Sequence, residues 1–85
     1  MNVYVLHRHW DTPENEGNDI IGVYYDAIDA LADMRADAEA TKAYYSSDFW
    51  EEDMTWESER EIYLGSDKYS SITIYYWEIV EMEVK

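Results

Sequence analysis

One helix-periodic segment, residues 26–45, lies between two pairs of strand-like segments, and that order limits the chain to a small set of folds. Val3, Tyr4, Val5 and Leu6 give residues 2–10 the β-branched and aromatic content of a strand. Residues 11–19 hold Pro13, Gly17 and several Asp, Asn and Glu, a loop composition, and Ile20 to Tyr25 then read as a second strand closing a hairpin. Asp26 is placed to cap a helix whose first turn gains a favourable negative charge from Asp29. Within that helix Ala27, Leu31, Met34, Ala38 and Tyr45, with Ile28 beside them, recur at helical spacing and form an apolar stripe. Residues 46–55 break the pattern and read as an irregular connection with room for one helical turn.

From 56 to 64 the chain alternates. Trp56, Ser58, Arg60, Ile62 and Leu64 fall on one side, and Glu57, Glu59, Glu61 and Tyr63 on the other. Residues 65–71 read as a turn, and 72–84 as a long last strand whose 72–78 half is apolar on both sides, which predicts a bulge or a more covered segment there. The whole predicts a two-layer α+β domain: an antiparallel sheet of four strands in the order ββαββ, with one helix on one face. A chain of 85 residues holds one such domain.

A domain this short buries only about 60–65% of its unfolded surface, and without cysteine nothing covalent can compensate for a poor core. Nine Tyr, four Trp and one Phe supply the apolar area instead. Twenty Asp and Glu against six Lys and Arg leave a net charge of −14. High acidity with few hydrophobes signals disorder, but 47% of this chain is apolar, so the charge belongs on a folded surface. Adaptation to high salt also produces acidic surfaces poor in lysine, yet it does not account for the abundance of Tyr and Trp. The charge argues against direct binding to nucleic acid. The sequence opens without a basic, then apolar, leader and contains no run long enough for a membrane span, so a cytoplasmic protein of a bacterial host or infected cell is expected.

Several chemical constellations can be weighed. His7 and His9 are two apart in a strand, so their imidazoles share a face, with Asp11 nearby; spacing identifies no third ligand, and no metal is expected. The Asp11–Asp19 loop is rich in oxygen ligands but lacks the spacing of a calcium loop. There is no thiol nucleophile, no glycine-rich phosphate cradle and no nucleophile elbow, so neither an enzyme nor a cofactor is expected.

The acidic arrays are more informative. Asp29, Asp33 and Asp37 stand four residues apart, which sets carboxylates about 6 Å apart along a helix. Glu57, Glu59 and Glu61 project to one side of a strand at intervals of about 6.8 Å, preceded by Glu51, Glu52 and Asp53. Pairing Leu64 with Ile72 would place Glu61 beside Tyr75 and Glu59 beside Trp77, an acid and aromatic patch to which Trp50 adds a further ring. Rows of negative charge on a rigid scaffold imitate a phosphate backbone, whose cationic partners hold Arg and Lys in a complementary groove. Tyr and Trp stack on guanidinium groups and anchor interfaces. The expected partner is a basic nucleic-acid-binding protein, with RNA-guided nucleases among the candidates. The alternative is a regulatory interaction module that meets an ordinary protein through the aromatic and acidic segment 48–57.

In size, charge and scattered acidic rows the chain resembles the small phage-encoded inhibitors that block CRISPR nucleases or restriction enzymes, several of which act as DNA mimics. That resemblance implies a steric and electrostatic mechanism, in which carboxylates occupy the residues that would hold DNA or guide RNA, without turnover or cofactor. Val3-Tyr4-Val5-Leu6, Ile21-Gly22-Val23-Tyr24 and the helix opening Asp26-Ala27-Ile28-Asp29-Ala30-Leu31 also look like small uncharacterised phage and bacterial domains of this strand order. This second likeness implies the fold and no activity.

Overall fold

The β-branched run at the start of the chain is paired with the last strand along its whole length and with the second strand from Tyr4 onward. In the computed structural model, which describes residues 1–67 and 71–84, β1 (Asn2–Asp11) lies between β2 (Glu16–Tyr24) and β5 (Thr73–Glu83). A helix, α1 (Ala27–Tyr44), follows β2, and a 3-10 turn at Glu52–Met54 leads into β3 (Trp56–Glu57) and β4 (Glu61–Ser66). The sheet is antiparallel, in the order β2-β1-β5-β4-β3. The α+β class and the single helix match the sequence reading; the sheet has five strands rather than four.

The fifth strand comes from the expected 56–64 strand, which is folded back on itself. Ser58 donates its backbone N–H to the Glu61 carbonyl at 2.7 Å, and the Ser58 hydroxyl accepts from the Arg60 N–H at 3.4 Å. Such local serine bonds compete with a continuous ladder, so Trp56 pairs with Tyr63 and Glu57 with Ile62 as a short hairpin. Register differs as well. Leu64 pairs with Tyr75, not Ile72, and Glu61 with Glu78. A shift of three residues is odd, so it exchanges the faces on which cross-strand neighbours meet. The centre of the expected 65–71 turn, residues 68–70, lies outside the described residues, while Gly65 and Ser66 belong to β4.

The expected 11–19 loop shrinks to residues 12–15, closed by Thr12 N–H donating to the Asn15 carbonyl at 2.8 Å. Two contacts draw its polar residues into β2. The Trp10 ring lies so close over Gly17 that a β-carbon there would come within 2.6 Å of it, and Asp19 meets the Arg8 guanidinium at 2.9 Å. The bulge also moves: β5 runs unbroken against β1 from Asn2↔Glu83 to Asp11↔Ile74, and the irregularity falls in β2, where Leu6 faces Gly22 but His7 faces Ile20. Within 72–78, Thr73 and Trp77 are buried on one face, while Ile74 and Tyr76 on the other are half-buried.

The helix begins as its cap predicts, with the Asp26 carboxylate accepting the Ile28 N–H at 2.9 Å. Its buried line is Ala30, Met34 and Ala38: Met34 and Ala38 belong to the expected stripe, while Ala30 is buried in place of Leu31. Leu31 packs at the edge of the core and Ile28 faces solvent at 72% exposure. The small alanines let the helix backbone approach the sheet, where Leu6, Ile62, Leu64, Trp77 and Ile79 complete the core. Among the described residues, no α-helix covers the opposite face of the sheet.

Candidate partner-binding surface

Alternation along each strand sorts the side chains between the covered and the open face of the sheet. Tyr4, Leu6, Arg8 and Trp10 of β1 face the helix with Thr73, Tyr75, Trp77 and Ile79 of β5. Val3, Val5, His7 and His9 face the open side with Ile74, Tyr76, Glu78, Val80 and Met82.

This division separates the expected acid and aromatic patch. Trp77 is fully buried, Tyr75 stacks on it at 6.1 Å, and Trp50 packs edge-on to Tyr75 at 6.1 Å. Phe49 stacks on Tyr45 at 4.5 Å and touches Trp50 at 4.9 Å. These rings meet, but as core and its rim. Trp77 is therefore corrected from a partner contact to a core residue, because the register that would have set Glu59 beside it does not form. Trp56, at 47% exposure and stacked on Tyr63, is the accessible indole of the 48–57 segment.

The helical aspartates differ from one another. Asp29 is exposed in the first turn. Asp33 accepts the Tyr24 phenol at 2.7 Å. Asp37 is half-buried and accepts from Arg8 Nη1 at 3.0 Å and from Trp77 Nε1 at 2.7 Å, so it is an internal partner rather than the end of a free row. Glu57 and Glu59 are exposed at the β3–β4 hairpin, whereas Glu61 is half-buried on the open face opposite Glu78. The expected straight ladder of these three is accordingly a bent one, folded around Ser58. Glu52 and Asp53 are exposed in the 3-10 turn, and Glu51 is half-buried, its N–H held by the Gly65 carbonyl at 3.0 Å.

Three described cations are paired with carboxylates, and of these only Arg8 is turned inward. Arg8 bridges Asp19 and Asp37, Arg60 pairs with Glu81 at 3.5 Å and lies over the Tyr4 ring, and Lys42 sits 3.6 Å from Glu39. Burial alone would lower the Arg8 pKa, but the two carboxylates outweigh it and raise the value further. Arg35 and Arg60 remain exposed, outnumbered there by carboxylates. Burial, followed by the hydrogen bond and negative charge of Asp33, pushes the Tyr24 phenol up to about 12; burial, then Glu61 and Glu78, does the same to Tyr76. Both phenols serve their carboxylates as donors.

Sequence reasoning missed two features because each needs the register between strands far apart in the chain. Arg8 is one, reaching across to β2 and α1. The other is a cluster on the open face: His7 Nδ1 lies 3.5 Å from Glu78 Oε1, and His9 Nε2 lies 3.3 Å from the same oxygen. The His7 and His9 pair was visible; the residue that meets it is 69 positions from His9.

Comparison with protein-family models, curated proteins and solved structures finds no match to this chain. Among the described residues no helix is long and apolar enough to cross a membrane.

Proposed function

We propose that this protein is a non-catalytic inhibitor that occupies the basic nucleic-acid groove of a nuclease or another DNA- or RNA-binding protein. The observation that carries the reading is the density of charge along the body. Its extents are 47 × 21 × 19 Å, so a net charge of −14 amounts to one charge per roughly 3.4 Å of length, the axial spacing of phosphates along one strand of DNA, about 3.4 Å. Of the cations, Arg8 is held between Asp19 and Asp37 on the covered side of the sheet, away from the outward-facing acids. A groove that holds a phosphate backbone with Arg and Lys offers complementary potential, and the anionic body excludes the nucleic acid by occupying its place. Of the acids expected to meet a partner, Asp29, Glu52, Asp53, Glu57 and Glu59 are exposed and outside the internal pairs described above. An RNA-guided nuclease is one partner of this kind, and a phage anti-CRISPR or anti-restriction protein is the biological setting in which such a decoy acts.

The test is competition. Once a partner is isolated, its affinity for this protein is expected to fall steeply with salt, because exposed charges are screened over a Debye length of about 8 Å at physiological ionic strength. DNA or guide RNA should displace the protein, and Glu57→Gln with Glu59→Gln should weaken binding without loss of fold. Simultaneous tight binding of nucleic acid and this protein would refute the decoy. The alternative, a regulatory module, is favoured by one feature, the exposed Trp56 stacked on Tyr63. Under that reading Trp56→Ala abolishes binding and salt has little effect.

A further inference from the structure

Three acceptor atoms converge at the centre of the open sheet face. The strand register sets His7 directly opposite Glu78 and His9 opposite Tyr76. Alternation puts both imidazoles and the carboxylate on the same side, with all three ligand atoms within 4.8 Å of one another. Two of the separations, 3.5 Å from His7 Nδ1 to Glu78 Oε1 and 3.3 Å from His9 Nε2 to Glu78 Oε1, bracket a tetrahedral edge. Ligands about 2.0–2.1 Å from a tetrahedral zinc ion stand roughly 3.3–3.4 Å apart.

The surroundings fix the chemistry of these atoms. His7 Nε2 lies 3.4 Å from Asn18 Oδ1, an oxygen that can only accept. In the tautomer that donates Nε2–H to this oxygen, the Nδ1 lone pair is directed toward Glu78. Metal-bound histidines are oriented in this way by an acceptor on the other ring nitrogen. Tyr76 Oη is 3.5 Å from Glu78 Oε2, which turns the other carboxylate oxygen toward the imidazoles. Across the next strand pair Glu61 faces Glu78. Like charges directly opposed in a sheet destabilise it, and a cation beside Glu78 would relieve that repulsion. The opposed Glu61 and Glu78 favour positive charge where the three ligand atoms meet.

We infer that His7, His9 and Glu78 form a binding site for a divalent transition-metal ion of the zinc class. Two imidazoles and one carboxylate supply three positions of a tetrahedron. The fourth faces solvent, since the three side chains retain 27%, 39% and 31% of their exposure. Imidazole selects against magnesium and calcium, which prefer oxygen alone. The ion would tie β1 to β5 at mid-sheet, and its binding is independent of the decoy reading, because Glu57 and Glu59 are not among its ligands.

The experiment is calorimetric titration of the full chain with zinc sulfate, paired with electronic absorption after adding cobalt(II). The expected result is one zinc per chain and intense visible cobalt bands of a tetrahedral site. His7→Ala, His9→Ala and Glu78→Gln should each weaken zinc by at least about tenfold, and Asn18→Leu by about tenfold through the orientation of His7. Circular dichroism verifies that each variant remains folded; Glu78→Gln, half-exposed and nearly isosteric, is the variant least expected to disturb the sheet. Glu52→Gln with Asp53→Asn, remote from the cluster in sequence and in the fold, should leave zinc affinity unchanged. Absence of stoichiometric binding, equal affinity in His7→Ala, equal response to magnesium, or loss of zinc binding only in the Glu52 and Asp53 variant would overturn the site.

Discussion

On the helix side of the sheet Leu6, Leu64 and Trp77 have lost all contact with solvent, whereas on the open side Ile20 and Val23 retain 63% and 61% exposure. The same strands supply both faces. On the covered face polar groups pair with one another, since Arg8 and the Trp77 indole converge on Asp37 and Tyr24 donates to Asp33. On the open face, imidazoles and carboxylates instead sit beside aromatic rings, with Trp56, Tyr63, Tyr76 and His9 forming a row across four strands. Residues that look alike in the sequence thus differ in what is left for them to do. Whether a carboxylate is free to meet a partner depends on which face and which neighbour it has been given.

The largest test of this division truncates adjacent residues of β5. Trp77→Ala removes a fully buried indole and should cost about 3–5 kcal/mol, a large part of the stability of a small domain. Tyr76→Ala, one position along on the open face, should cost less than about 1 kcal/mol. Urea unfolding followed by circular dichroism measures both. Equal losses would mean that the open face is as much a core as the covered one.

Within the helix the comparison sharpens between Met34 and Leu31. Met34 is fully buried, so Met34→Ala should cost about 2–4 kcal/mol. Leu31, which the sequence placed at the centre of the stripe, packs only at the core's edge, and its truncation should cost about half as much. The same unfolding experiment decides the order, and a larger loss at Leu31 would rotate the helix away from the observed packing.

These two residues also show how much was legible. The helix and its Asp26 cap were readable because both depend on neighbours within one turn. The strands of β1 and β5 were readable from β-branched and aromatic content. The alternation of 56–64 was real, but a serine-centred turn divided it, and period alone does not reveal a fold-back. Register was not legible at all, since Leu64↔Tyr75 places Leu64 in the core under α1, a tertiary contact that the hairpin sequence does not carry. The site depended on register throughout: Trp77 moved to the core, Asp37 acquired two donors, and Glu78 arrived beside His7 and His9. Net charge survived untouched, because composition is independent of register.

The helical aspartates provide a third contrast. Asp37→Ala leaves the half-buried Arg8 with one carboxylate partner and the Trp77 N–H with none, and should cost about 1.5–3 kcal/mol. Asp29→Ala, at an exposed first-turn position, should cost no more than about 0.5 kcal/mol from the helix dipole. Under the decoy reading the order reverses in partner binding, where Asp29 matters and Asp37 does not. Comparing stability with affinity for these two variants therefore separates acids that hold the fold from acids that face outward.

The smallest effect concerns Tyr24, whose hydroxyl donates to Asp33 at 2.7 Å. Its phenol is pushed up to about 12, by burial first and by Asp33 second, while an unfolded tyrosine ionises near pH 10. The sign follows from which form the fold prefers. Neutral phenol donates to the carboxylate, and phenolate would instead face Asp33 and Asp37 as a third negative charge. Tyr24 therefore contributes its stabilisation fully below about pH 10 and loses it as pH rises toward 12. Because the bond is at the surface, the contribution should stay below about 1 kcal/mol. Unfolding measured for the native chain and Tyr24→Phe should show a small gap at pH 8 that closes between pH 10 and 12. Ultraviolet titration of the same pair should show one phenol, present only in the native chain, ionising near 12. A phenol that instead ionises with free tyrosine would release Asp33 from its internal partner and return it to the outward-facing acids.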